Sequence, residues 1–285
     1  MSAGFYNSFV LKTDNSLWAC GQNSWGKFGD GTTTDRNSLV KIADGIQSIS
    51  SNYHHTLVLK TDNSLWACGR NQWGQLGDGT NNYKYTLVKI ADGIKSISAG
   101  DFHTLVLKTD NSLWACGRND YGQLGDGTNA DKNTLVKIAD GIKTISGGGL
   151  HSLVLKTDNS LWACGYNNSG ELGDGSNINK NSLVKIADGI KAISAGSFHT
   201  LVLKTDNTLW ACGYNSNGQL GDGTTTNRNI LVKIADGIKA ISAGDYHTMV
   251  LKSDNTLWAC GYNSNGQLGD GSTTDRNTLV SVFLP

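Results

Sequence analysis

One interval governs this chain. The pentapeptide Leu-Trp-Ala-Cys-Gly returns every 48 residues, placing Trp18, Trp66, Trp114, Trp162, Trp210 and Trp258 in register with no insertion between copies. A fixed period in this range belongs to solenoids, propellers and repeat arrays, in which each copy is one supersecondary unit that buries its apolar face against its neighbours. The fold must therefore be read from one period and then multiplied by six.

The period between Thr86 and Thr134 shows the pattern. Leu87–Ile90 is a short apolar run, closed by Asp92-Gly93, a pair that favours a tight hairpin because glycine accepts positive φ. Ile94–Gly100 alternates apolar and polar residues as a half-buried strand does, and His103–Lys108 is a third strand. Thr109-Asp110-Asn111 is a polar turn before Ser112–Gly117, the fourth. A glycine-bearing loop from Asn119 to Asn133 leads to the next Leu135–Ile138. Four short antiparallel strands per period, six times over, predict an all-β, six-bladed β-propeller of four-stranded blades forming a single domain over residues 1–285. Because the chain enters late in a second strand and ends on a first one (Thr278–Val280), the expected closure pairs the N- and C-terminal strands within one blade. Phe283-Leu284-Pro285 takes the place of the last Asp-Gly turn.

Composition bounds the function. Lys plus Arg and Asp plus Glu balance at 24 each and are interleaved within every copy, so no basic stripe exists to neutralise phosphates and no nucleic-acid partner is expected. No apolar run has the length of a membrane span, and Met1–Asn7 is no signal peptide, so the expectation is a soluble, cytoplasmic monomer without membrane contact, the alternative being a secreted chain or a fragment of a larger protein. The six cysteines fall one per copy, at Cys20, Cys68, Cys116, Cys164, Cys212 and Cys260. A whole repeat separates each from the next, too far for a disulfide, so they read as free buried thiols.

With these residues laid out, the period resembles the regulator of chromosome condensation repeat. That family's pattern of Ala-Gly-x-x-His, a Leu-rich strand and Trp-x-x-Gly-x-Asn-x-x-Gly-Gln-Leu-Gly stands here as Ala99–His103 and Trp114–Gly125, and it recurs along the whole chain. The resemblance implies a propeller and a binding role. The family's best-known members have seven divergent blades, whereas these six are nearly alike, as recent amplification or engineering from one blade would leave them. Two family activities find no support. Nucleotide exchange on a small GTPase uses a wedge between strands, which the unbroken register excludes. The tryptophan chromophore of a plant ultraviolet-B photoreceptor would fall on Phe5-Tyr6, Tyr53-His54, Asp101-Phe102, Gly149-Leu150, Ser197-Phe198 and Asp245-Tyr246, where no tryptophan stands.

The repeated polar residues read as structural. His55, His103, His151, His199 and His247 share one position, with Asn7 in the first copy, and are expected to bond a neighbouring turn or backbone carbonyl; zinc would require ligands converging on one point. Gly-Gln-Leu-Gly-Asp-Gly, as in Gly122–Gly127, has no helix after it to make a phosphate site. The aspartates Asp30, Asp78, Asp126, Asp174, Asp222 and Asp270 lack the alternating oxygens of a calcium loop. Neither metal nor cofactor is expected, and no nucleophile arrangement is unique to one copy, so the chain is not read as an enzyme.

What varies is more telling. One position holds Gln22, Arg70, Arg118, Tyr166, Tyr214 and Tyr262; three residues on stand Trp25, Trp73, Tyr121, Ser169, Asn217 and Asn265. Trp, Tyr and Arg dominate interface energetics, and loops on a rigid scaffold carry most binding. The expectation is a non-catalytic protein–protein interaction scaffold contacting an unidentified protein through Trp25, Arg70, Trp73, Arg118, Tyr121, Tyr166, Tyr214 and Tyr262 on one face. The alternatives are a multivalent, lectin-like binder of sugars or small ligands, with one weak site per blade, and an amplified or designed propeller with no evolved ligand.

Overall fold

A computed structural model describes residues 2–4 and 6–282. By contact density the chain divides into two compact units, Met1–Asp120 with Thr128–Gly147 and Tyr121–Gly127 with Gly148–Pro285.

The first unit holds three complete antiparallel sheets, each of four consecutive strands. They are β1 (Ser2–Gly4), β2 (Asn7–Leu11), β3 (Leu17–Gly21) and β4 (Arg36–Ala43); β5 (Ile46–Ser51), β6 (His55–Lys60), β7 (Leu65–Gly69) and β8 (Lys84–Ala91); and β9 (Ile94–Ala99), β10 (His103–Lys108), β11 (Leu113–Gly117) and β12 (Lys132–Ala139). Strand β13 (Ile142–Gly147) ends the unit. The second unit contains β14 (His151–Lys156), β15 (Leu161–Gly165) and β16 (Lys180–Ala187), then two complete sheets: β17 (Ile190–Ala195), β18 (His199–Lys204), β19 (Leu209–Gly213) and β20 (Arg228–Ala235); and β21 (Ile238–Ala243), β22 (His247–Lys252), β23 (Leu257–Gly261) and β24 (Arg276–Ser281).

Burial explains the strand order. The second strand, such as β6, is buried along almost its whole length and lies between two partners. The fourth, such as β8, is the half-exposed edge and carries Lys84 and Lys89, charges that discourage pairing with another chain. First strands of successive sheets lie side by side, the Ala99 amide donating to Ser50 Oγ at 2.9 Å and the Ala243 amide to Ser194 Oγ at 2.9 Å. The turn between the second and third strands is built locally. Asp62 accepts from the Ser64 amide at 2.9 Å, Asn63 takes φ +62, the Trp66 indole donates to Ser64 Oγ at 2.9 Å, and Lys60 lies 3.9 Å over the same ring. Trp18, Trp114, Trp162, Trp210 and Trp258 repeat the indole bond and the lysine contact.

The strand content matches expectation; its phase does not. The Leu-Val-Lys-Ile run is the last strand of a sheet, not the first: Val88 pairs with Ala67 of the preceding Leu-Trp-Ala-Cys-Gly strand. Asp92-Gly93 therefore joins one sheet to the next and closes no hairpin. The Ile94 amide donates to the Asn63 carbonyl at 2.9 Å, and the Gly93 carbonyl accepts from Thr109 at 2.9 Å. The expected blade stitched from the N- and C-terminal strands is not formed among the described residues, because the change of phase completes each sheet from consecutive strands. Thr278–Val280 belongs to β24, which pairs with β23, and β1 pairs with β2. Phe283-Leu284-Pro285 lies outside the described residues.

Candidate functional site

Three repeat positions build the site, and short backbone links fix each of them. At the end of the third strand Gly69 takes φ +109, and a Cβ there would meet the His54 carbonyl oxygen at 2.7 Å. That close approach lets the Arg70 amide donate to the same carbonyl at 2.9 Å. The link recurs from Arg118 to Phe102 at 3.0 Å, Tyr166 to Leu150 at 2.9 Å, Tyr214 to Phe198 at 2.8 Å and Tyr262 to Tyr246 at 2.9 Å. The variable residue after the glycine is thereby set beside the residue preceding the repeated histidine.

The third position is held by a glutamine, buried at Gln75, Gln123 and Gln219 and half-buried at Gln267. Gln75, Gln123, Gln219 and Gln267 accept from the amides of Trp73, Tyr121, Asn217 and Asn265 at 3.0–3.1 Å. In two copies the glutamine is replaced by an ionisable residue. Glu171 is fully buried; its Oε2 accepts from the Ser169 amide at 2.9 Å, its Oε1 has no partner, and burial pushes its pKa up to about 7. Lys27 is 1% exposed, and burial lowers its pKa to about 8. A lysine cannot stand in as an acceptor, and in that copy Trp25 adopts φ +62, a left-handed conformation unusual for a bulky residue.

In the first unit these positions gather a basic, aromatic cluster. The Arg70 guanidinium lies 5.2 Å from the Trp25 ring centre and 4.8 Å from that of Trp73; Arg118 lies 5.2 Å from Trp73 and 5.3 Å from Phe102. His54 packs against Trp25 at 5.1 Å, Tyr53 at 4.5 Å and Phe102 at 4.6 Å. Burial, reinforced by the positive charges of Arg70 and Lys27, lowers the His54 pKa to about 3, so the ring is neutral. Gln72 Oε1 accepts from Arg70 Nη2 at 2.7 Å, and Asp120 accepts from Arg118 Nη2 at 2.6 Å.

In the second unit the corresponding residues are mostly tyrosines. Tyr121 and Tyr166 meet edge to face at 5.1 Å. Tyr166, Phe198, Tyr214 and Tyr246, together with Ser169, line an open concavity of about 240 Å³. Tyr262 joins through the backbone link to Tyr246 described above. Seven of the eight variable residues thus enter ring or cation contacts, in two groups. Sequence reasoning missed His54, Phe102, Phe198 and Tyr246 as part of them. Their signal is a position that precedes the repeated histidine and changes from copy to copy.

The repeated histidines stand apart from these groups. His55 Nε2 meets Thr104 Oγ1 of the next copy at 2.8 Å, and that hydroxyl donates to the Gln75 carbonyl at 2.7 Å. His151–Thr200 at 3.0 Å and His199–Thr248 at 3.1 Å repeat the contact. With the hydroxyl proton committed, Nε2–H is the donor and the imidazole is neutral, consistent with burial pushing His55 to about 3 and His151 to about 4. The partner is a side-chain hydroxyl one repeat away, where a turn or a backbone carbonyl was expected. His103 is fully buried and His247 half-buried at the same position. Cys116 and Cys164 add Sγ contacts to the Gln75 and Gln123 carbonyls at 3.6 and 3.5 Å, and all six thiols are free. The Asp-Gly-Thr loops are tied by asparagine: Asn71 Nδ2 donates to Asp78 at 2.9 Å and to the Thr80 carbonyl at 2.9 Å, and its Oδ1 accepts from the Leu76 amide at 2.9 Å. Among the described residues no three His, Cys, Asp or Glu side chains converge to hold a metal ion. No helix among them is long and apolar enough to cross a membrane.

Comparison with known proteins bears on the whole chain. Family models described as the regulator of chromosome condensation (RCC1) repeat match residues 1–27, 46–75, 94–123, 142–171, 190–219 and 238–267, and a second such model matches 62–107, 110–155, 158–203 and 206–251. Human WBSCR16 is similar in structure, with a TM-score of 0.90 at 19% identity over 100% of this chain and 81% of that one. Yeast RCC1 (Prp20), in a complex with Kap60, gives 0.89 at 19% identity over 99% and 74%. Prp20p from Saccharomyces cerevisiae, studied for its binding to Gsp1p and histones, gives 0.86 at 19% identity over 99% and 76%. A comparison with curated protein sequences returned no match. The strand sets and these neighbours together make the fold a six-bladed, all-β propeller.

Proposed function

The chain belongs to the regulator of chromosome condensation repeat family, and from that premise we propose that it is a non-catalytic scaffold that binds another protein through its two variable aromatic clusters. One observation carries the reading: the positions at which near-identical copies diverge into Trp, Tyr and Arg are the ones that gather into surface clusters, while the repeated Trp, His and Asn are engaged in local and inter-repeat bonds. Family context supports it, since yeast Prp20 is a fold neighbour that binds other proteins. The clusters differ in chemistry, arginine and tryptophan in one and tyrosine in the other, which favours asymmetric epitopes over six equivalent sugar sites. Free thiols in a buried setting suit a reducing, cytoplasmic location. Quantitative affinity capture with the chain and with a Trp25→Ser/Arg70→Ser/Trp73→Ser variant tests the proposal. A protein retained by the former and by a Lys89→Ser control but lost from the triple variant supports it. Identical recovery from all three, or saturable glycan binding at one site per repeat, refutes it.

A further inference from the structure

Two periods separate the clusters in sequence, and matching them position by position gives the second a specific chemistry. Arg70, Trp73, Phe102 and Arg118 of the first unit correspond to Tyr166, Ser169, Phe198 and Tyr214 of the second. In the first, the Trp73 indole fills the middle and two guanidinium groups lie over ring faces at 4.8–5.3 Å. In the second, Ser169 takes the place of the indole and leaves a concavity of about 240 Å³, and tyrosines replace both cations. None of the residues lining that space is basic. The same backbone scaffold thus appears once with its cations built in and once as an aromatic enclosure without them.

The ring geometry suits a cation. Tyr166–Phe198, Phe198–Tyr214 and Tyr214–Tyr246 are each 6.4 Å apart between centres, with planes at 75°, 65° and 72°. Rings crossed in this way give one concavity walls of different orientation, and a cation over the face of any of them within roughly 6 Å of its centre is attracted by it. Phe198 and Tyr246 stack at 5.8 Å, and the Asp245 carboxylate, one residue before Tyr246, accepts from Ser197, one residue before Phe198, at 2.8 Å. The volume is below the roughly 300–1,000 Å³ of drug-sized sites and suits a small head group. A primary ammonium would bring three donors to a wall that is mostly aromatic carbon, whereas methylation removes the donors and keeps the charge.

We propose that Tyr166, Phe198, Tyr214 and Tyr246 form an aromatic cage for a methylated ammonium group. The inference rests on the reading of this cluster as a contact surface and names what it would contact. The group could be free, as in choline, or carried on a partner protein as a methylated lysine side chain. Calorimetric titration of the full chain with choline, with its uncharged isostere 3,3-dimethylbutan-1-ol, and with one peptide bearing either lysine or trimethyl-lysine separates the cases. Choline should saturate one site, and the isostere should bind about 3- to 30-fold more weakly. Preference for the trimethyl-lysine peptide over choline assigns the group to a protein partner; the reverse assigns it to a free ligand. Tyr214→Ala should abolish the binding and Tyr214→Phe retain it, while Tyr166→Arg, which installs the cation seen at Arg70, should exclude choline without lowering the melting temperature. Equal affinity for choline and the isostere, or no choline binding at millimolar concentration, overturns the cage. If the Trp25/Arg70/Trp73 surface still captures a protein in that event, the scaffold reading stands; if neither binds, both fall.

Discussion

Replacing Glu171 by glutamine should stabilise the protein at alkaline pH and leave it unchanged in acid. Glu171 is fully buried, and glutamine occupies its position in four of the other copies with the same bond to the amide two residues earlier. Glu171→Gln therefore keeps shape and hydrogen bond and removes only the capacity to ionise. Burial raises the carboxyl from 4.5 to about 7. Below pH 4.5 the group is protonated in both folded and unfolded chains and carries no penalty. Between 4.5 and 7 the unfolded chain ionises first, and stability falls by about 1.4 kcal/mol per pH unit. Above pH 7 the full difference, about 3 kcal/mol, is lost from the native protein and recovered by the variant. For a chain of this size that is a gain of roughly 5–10 °C in melting temperature at pH 8. Paired thermal melts at pH 4.5 and pH 8 are the assay, and their difference cancels any pH-independent change in packing. An equal shift at both pH values would refute a buried, ionisable Glu171.

Lys27→Gln should also stabilise, with the opposite pH sense. Burial lowers the lysine from 10.5 to about 8, so the native protein loses up to about 3 kcal/mol below pH 8 and regains it by pH 10.5, and denaturant midpoints at pH 7 and pH 10 will read the difference. Gly196→Ala should destabilise by about 3 kcal/mol or more, because the new Cβ would lie 2.4 Å from His199 Cε1 and 2.6 Å from the Gly244 carbonyl oxygen; urea unfolding measures it. In the native protein Cys68, Cys116, Cys164, Cys212 and Cys260 should resist a thiol reagent that labels all six after denaturation, since burial pushes Cys164 and Cys260 up to about 12 and the half-exposed Cys20 alone is within reach.

The strands were legible because each has a local pattern: the Leu-Val-Leu centre of His103–Lys108, the alternating Ile94–Ala99 and the Asx turn before Trp114 all act within a few residues. Sheet membership was not, because Asp-Gly turn chemistry is the same within a sheet or between sheets. Ala115 instead finds Val136 across a loop whose anchor is Asn119, donating to the Thr128 and Ala130 carbonyls at 3.0 and 3.2 Å. The histidine's partner was hidden for a similar reason, since Thr104 lies 49 residues beyond His55 and only repeat symmetry brings them together. At the candidate site, Arg70 and Trp73 were visible as variation against a uniform background. The contribution of Phe102 and Phe198 depends on the Gly-directed approach of two strand ends, which composition alone does not display.

Site-specific photo-crosslinking tests the scaffold reading most directly. A benzoylphenylalanine would be placed at position 73 or 214 in the clusters, or at the exposed Leu39 on the outer strand β4 as a control, and the chain irradiated in an extract of its source cells. Discrete protein adducts from 73 or 214 that are absent from 39 are the predicted result. Adducts of equal yield at all three positions, or none at any, would contradict it.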